Sequence, residues 1–192
     1  MEDFVSFFFI LIIITILYIY LETKSLDVKF IKSTFDDNTY LVRNLSDKQD
    51  AANLLAKIRK KLQILVDSLK KDRKGNQDIE RMIRNFRPNN ISESSPNNKF
   101  TSYSINKGEK IVFCIRSRDE TNKLESENTM MFVAIHELAH LMTESVGHTP
   151  EFWDNMRFLL KKAIEVKIYI KQDFRKSPVS YCGTKITDSP LK

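Results

Sequence analysis

Three histidines occur in the 192-residue chain, His136, His140 and His148, and all fall within thirteen residues. The first two bracket the run His136-Glu137-Leu138-Ala139-His140. On a helix, residues four apart share a face and lie about 6 Å apart along the axis, so both imidazoles can reach one metal ion. Glu137 follows the first of them and can face the water side, where it would take a proton from a metal-activated water. At the chain's own frequencies of His and Glu, the expected number of such H-E-x-x-H matches is roughly 0.003. Two imidazoles on an otherwise apolar helix are costly to bury unpaired, and a zinc ion removes that cost.

A catalytic zinc takes three protein ligands and keeps one open position. His148, eight residues beyond His140 and directly after Gly147, is the favoured third ligand, because a chain reversal there returns it over the metal. Glu144 and Glu151 are its rivals. Glu144 shares the face of His140, but the ion would then have to bind three successive turns. The spacing H-E-x-x-H-x-x-G-x-x-H is absent, since Thr143 and Val146 stand at the last two fixed positions.

These residues need elements to position them. Met130 to Glu144 is apolar around nearly its whole circumference, which predicts a buried central helix capped by Asn128 or Thr129 and ended by Gly147. Thr149-Pro150 starts the next helix, about 150–165, with Pro at its first position. Upstream, Phe100–Ile105 and Lys110–Arg116 flank a turn and read as a β-hairpin. Cys114 in its second strand reads as a small buried hydrophobe, and two buried thiols are expected rather than a bridge to Cys182. Residues 88–98, rich in Asn, Ser and Pro, read as a loop and the best internal boundary. Helices are expected over about 47–71 and 77–86. The first opens on a capping box, Ser46-x-x-Gln49, and carries Leu54, Leu55, Ile58, Leu62, Leu65 and Leu69 on one face. A short strand is expected within 22–45. In the tail, Tyr181 could donate to an oxyanion but reads as a packing tyrosine.

Phe4 to Leu21 holds eighteen residues without a charge. As a helix they reach about 27 Å, the hydrocarbon thickness of a thin bilayer. A single-pass anchor over residues 1–21 is therefore expected. Lys24, Lys29 and Lys32 would place the N-terminus outside and the body, 22–192, on the cytosolic side. That body divides into a helical part, 22–99, and a part with the hairpin, the active-site helices and the tail, 100–192. Net charge is +6, with no block of five like charges, so a nucleic-acid partner is not expected.

The run HELAHLMTESVGHTPEFW resembles the signature of WLM and SprT-like zinc metalloproteases, in which H-E-[LM]-x-H is followed by a variable turn, a Gly-His pair and an aromatic. The strand IVFCIRSRD before the helix matches the WLM order of elements. DKQDAANLLAKIRKKL, NKGEKIVFCIRS and GHTPEFWDN are also similar to membrane-anchored WLM-like proteins of large DNA viruses. The resemblance implies zinc on His136, His140 and His148, with Glu137 as general base. The zinc finger and basic tail of DNA–protein crosslink repair relatives are not found here. The expectation is thus an α+β, zincin-like domain behind one transmembrane helix, hydrolysing peptide bonds of a protein or peptide substrate. The alternative is a zinc-stabilised, catalytically inactive structural membrane protein of virion type.

Overall fold

In the computed structural model the helix that carries the H-E-x-x-H run, α4 (Glu127–Met142), lies at the centre, against α2 (Lys48–Leu69), α3 (Gln77–Asn85) and α5 (Pro150–Glu165). The structure describes residues 2–24, 27–72, 74–96 and 98–191, with side chains of 5–20 in the first helix, α1 (Glu2–Lys24). Every residue of α4 from Thr129 to Ile135 is buried, as are Leu138, Ala139, Leu141 and Met142. An all-round apolar helix is stable only with neighbours on every side, and α2 supplies one wall through Leu55, Ile58, Leu62 and Leu65.

Three small sheets complete an α+β arrangement. β1 (Val28–Lys32) and β2 (Thr39–Arg43) form an antiparallel hairpin. β3 (Ile91–Glu93), β5 (Lys110–Phe113) and β4 (Tyr103–Ile105) form a sheet in that order, with β5 parallel to β3 and antiparallel to β4. β6 (Val179–Tyr181) and β7 (Thr184–Ile186) pair through the two-residue turn Cys182-Gly183. Both turn residues have positive φ, 47° and 79°, as the tightest right-twisted hairpin turn requires.

Several expectations need correction. The transmembrane anchor is not supported: no helix among the described residues is long and apolar enough to cross a membrane. The side chains of Phe4 and Leu21, at the ends of the apolar run, and of Lys24 lie outside those described. The single-pass topology and the cytosolic placement of the body fall with it.

The capping box does not form either. Asp47 is the N-cap and makes no side-chain cap bond. Its carboxylate pairs instead with Arg116 at 2.5 Å, while Gln49 donates to the Lys32 carbonyl at 3.0 Å. The 88–98 loop contains β3, whose Glu93 is buried and satisfied by Arg116 Nε at 2.8 Å and the Arg43 N–H at 2.6 Å. Cys114 and Cys182 are joined in a disulfide, not held as two thiols, with 6.2 Å between their Cα atoms.

Candidate metal centre

Helix α4 begins one turn earlier than expected. Ser126 is its N-cap and accepts the Thr129 N–H at 3.1 Å. Its C-terminal carbonyls meet two cations: Arg81 donates to Met142 O at 2.8 Å and Lys107 Nζ to Thr143 O at 2.9 Å. Positive charge at a helix C-terminus is favourable, and here it also seals the orphan carbonyls where the chain must leave the helix. The turn that carries Lys107 fits because Gly108 has φ +114° and no side chain. A Cβ there would strike the Asn85 carbonyl and Leu141.

Between α4 and α5 the chain reverses over Thr143–Thr149. The Thr143 hydroxyl donates to the Ala139 carbonyl and accepts from the Asn155 amide at 3.1 Å, tying the two helices together. Glu151 braces the reversal: its carboxylate accepts the Glu144 N–H at 2.9 Å and the Ser145 hydroxyl at 2.6 Å. Gly147 takes φ +89°, and Thr149 caps α5 by accepting from Phe152 N. The result returns His148 to the face of α4.

There the three imidazoles converge. His136 Nε2 lies 3.2 Å from His140 Nε2 and 3.0 Å from His148 Nε2. The ligand atoms of the three all lie within 4.8 Å of one another, so the cluster can hold a metal ion. The rival ligands are engaged elsewhere: Glu144 pairs with Arg81 at 2.9 Å, and Glu151 is spent on the reversal.

Phe152 backs the cluster. Its ring stacks on His140 with centroids 4.4 Å apart and meets the edges of His136 and His148 at 4.9 and 4.7 Å. Burial by this apolar floor is the largest cause that holds His136 down to about 3, followed by its histidine neighbours. His140 is held down to about 4, again first by burial, then by His148 and Lys107. Both nitrogens are therefore unprotonated and available to a cation at neutral pH. Glu137 is 3% exposed, and burial pushes its carboxyl up to about 8.

The cluster and Glu137 open onto one cleft of about 810 Å³. The segment leading into β4 and the tail line the same cleft, through Ser102, Tyr181 and Ile186 among others. Sequence reasoning gave neither Phe152 nor Ser102 a role and set Tyr181 aside as packing. The aromatic after Gly147-His148 was a usable signal for Phe152, while nothing local marks Ser102.

A family model described as WLM domain matches residues 34–191. A protein of Acanthamoeba polyphaga mimivirus is 34% identical over 189 residues, covering 95% of this chain and 94% of the relative. A protein of Invertebrate iridescent virus 6 is 25% identical over 152 residues, covering 79% of this chain and 83% of the relative. Among solved structures, a Wss1 mutant of Saccharomyces cerevisiae aligns with a TM-score of 0.51 at 20% identity, over 66% of this chain and 87% of that one. This last likeness concerns the fold alone.

Proposed function

We propose that this chain, which belongs to the WLM family, is a zinc-dependent peptidase. The observation that carries the reading is the convergence of three imidazoles beside a buried glutamate, with His136 Nε2 at 3.2 Å from His140 Nε2 and 3.0 Å from His148 Nε2. The donor set suits zinc. At the usual Zn–N distance, two ligands of a tetrahedral ion stand about 3.4 Å apart, close to the spacing here. Three nitrogens also leave the fourth position free for chemistry.

His136, His140 and His148 would hold the ion. Bound zinc supplies Lewis acidity, lowering the pKa of a water toward about 7 and polarising a peptide carbonyl. Glu137 accepts the proton of the attacking water and delivers it to the leaving amine. Burial makes the ionised carboxyl a stronger base than an exposed one, and a cation held by the neighbouring histidines would favour that ionised form. The His136 and His140 rings hold their aim because they are packed against Phe152 and supported by a helix with no exposed face.

The alternative, a metal-stabilised protein without catalysis, leaves Glu137 unexplained. A buried carboxyl beside a structural site costs stability and returns nothing. Zinc stoichiometry and cleavage of unfolded casein by the full chain test the proposal. Near-equimolar zinc is expected, with cleavage abolished by 1,10-phenanthroline and restored by added zinc. Equimolar zinc without cleavage of casein or of other unfolded and native proteins would favour the alternative.

A further inference from the structure

We propose that Tyr181 is a second catalytic residue, whose phenol donates a hydrogen bond to the scissile carbonyl oxygen as that oxygen takes on negative charge. The inference rests on the peptidase reading above and adds a protein donor from the cleft that the histidines line.

Tyr181 is 4% exposed, yet it lines the same cleft as His136, Glu137 and His140. Its hydroxyl lies 2.5 Å from Ser102 Oγ, a contact in which either oxygen can donate. Ser102 Oγ in turn accepts the Cys114 backbone N–H at 3.1 Å. With Ser102 Oγ accepting that N–H, its own O–H can donate a hydrogen bond to the Tyr181 oxygen, which leaves the phenolic O–H free to point into the cleft. An acceptor there completes a one-way chain from the Cys114 amide through Ser102 and Tyr181 to the substrate oxygen. Each link polarises the next. Burial raises the phenol above its ordinary pKa, against the lowering effect of the Ser102 hydrogen bond, so it stays a donor across the neutral range.

Preorganisation separates such a donor from an ordinary buried tyrosine. Tyr181 ends β6, and the next residue, Cys182, is bonded to Cys114, the residue whose amide holds Ser102. Glu125 accepts the Cys182 N–H at 3.2 Å. Both members of the hydroxyl pair are thus fixed to the end of β5, with no long flexible side chain between them and the backbone.

The test compares Tyr181→Phe and Ser102→Ala in the zinc-loaded full chain. It uses casein-derived peptide cleavage and the affinity of an N-acetylated phosphinic pseudopeptide with Leu-like and Phe-like side chains about the phosphinate. The phosphinate phosphorus stands in for the tetrahedral carbon formed from the scissile carbonyl, and its oxygens for the negatively charged oxygens on that carbon. Tyr181→Phe is expected to keep zinc and melting temperature, lower kcat about 100-fold with KM little changed, and weaken the phosphinate by tenfold or more. Ser102→Ala leaves the phenol in place and is expected to cost less than tenfold in both. Wild-type kcat and phosphinate affinity in Tyr181→Phe would overturn the proposal. So would equal losses in the two variants that track a lowered melting temperature, because the pair would then be structural. If Tyr181→Phe does not fold, 3-fluorotyrosine at position 181 keeps the ring and hydroxyl. It should move the alkaline fall of kcat to lower pH, and an unmoved limb counts against the role. A zinc-loaded wild type that neither cleaves nor binds the phosphinate removes the peptidase reading itself, and Tyr181's role with it.

Discussion

The ring of Phe152 lies stacked on that of His140, centroids 4.4 Å apart and planes 29° apart, so one core side chain sets the aim of the metal-facing nitrogens. Phe152 is fully buried and touches all three imidazoles. Phe152→Ala should therefore cost about 3–5 kcal/mol of stability. It should also weaken zinc binding roughly 10- to 100-fold, as loss of an orienting partner does. Denaturant unfolding and competition against a zinc chelator measure the two. Unchanged zinc affinity in a destabilised protein would reduce Phe152 to a packing residue.

The reversal after α4 predicts a graded series. His148→Ala should lose zinc as completely as His136→Ala. Glu151→Ala removes the brace on the Glu144 and Ser145 amides and should weaken zinc by roughly 10- to 100-fold without changing its stoichiometry. Glu144→Ala, whose carboxylate only pairs with Arg81 at the surface, should leave zinc affinity within about twofold. Zinc content after dialysis orders the four. Full zinc in His148→Ala, with loss in Glu144→Ala, would put the third ligand on the wrong residue.

Acid should act through the histidines of the metal-free protein. His136 and His140 are held down to about 3 and about 4, whereas an unfolded chain protonates them near 6.5. Below about 6.5 the unfolded state then binds more protons, so stability is full above that pH and declines as pH falls toward 4. Calorimetry of the metal-free protein should find its melting temperature dropping across this window, and less steeply in His136→Asn. A flat profile from 6.5 to 4 would contradict the burial argument.

Glu137 acts in the opposite direction. Its folded value of about 8 lies above an ordinary carboxyl, so its contribution is complete below about pH 4.5 and is lost as pH rises toward 8. Glu137→Gln should stabilise the metal-free protein at pH 7 by about 3 kcal/mol, several degrees of melting temperature, and by little at pH 4.5. Equal melting temperatures at pH 7 would show that the carboxyl is better solvated than its burial implies.

The Cys114–Cys182 bridge closes a loop of sequence separation 68. By the loop-entropy argument such a closure stabilises by about 4 kcal/mol. Reduction and alkylation should lower the melting temperature by about 10 °C, and the oxidised protein should present no thiol to a thiol reagent. Two reactive thiols before reduction would contradict the bridge.

What the sequence made legible follows from the range of the interactions. The H-E-x-x-H helix and the Thr149-Pro150 start of α5 are local signals, and α5 occupies Pro150–Glu165 as its cap and proline imply. β3 escaped because Ile91-Ser92-Glu93 does not alternate in hydrophobicity. It is a strand only because β5 pairs with it and the Arg116 guanidinium, 23 residues on, satisfies Glu93. The capping box failed for the same reason: a partner 69 residues away, Arg116, draws Asp47 and leaves Gln49 to a neighbouring strand. Tyr181 read as packing because its role depends on Ser102, 79 residues earlier. The apolar run near the N-terminus illustrates the converse, since hydropathy alone suggested a span that no described helix provides.

The central claim is that Glu137 works on the reacting proton and not in holding the metal. Its most direct test is the cleavage rate of zinc-loaded Glu137→Gln beside zinc-loaded wild type, with metal content measured on the same samples. The account predicts equal, near-stoichiometric zinc and a rate lower by roughly 10²- to 10⁴-fold in the variant. Equal rates at equal zinc, or loss of zinc together with activity, would contradict it.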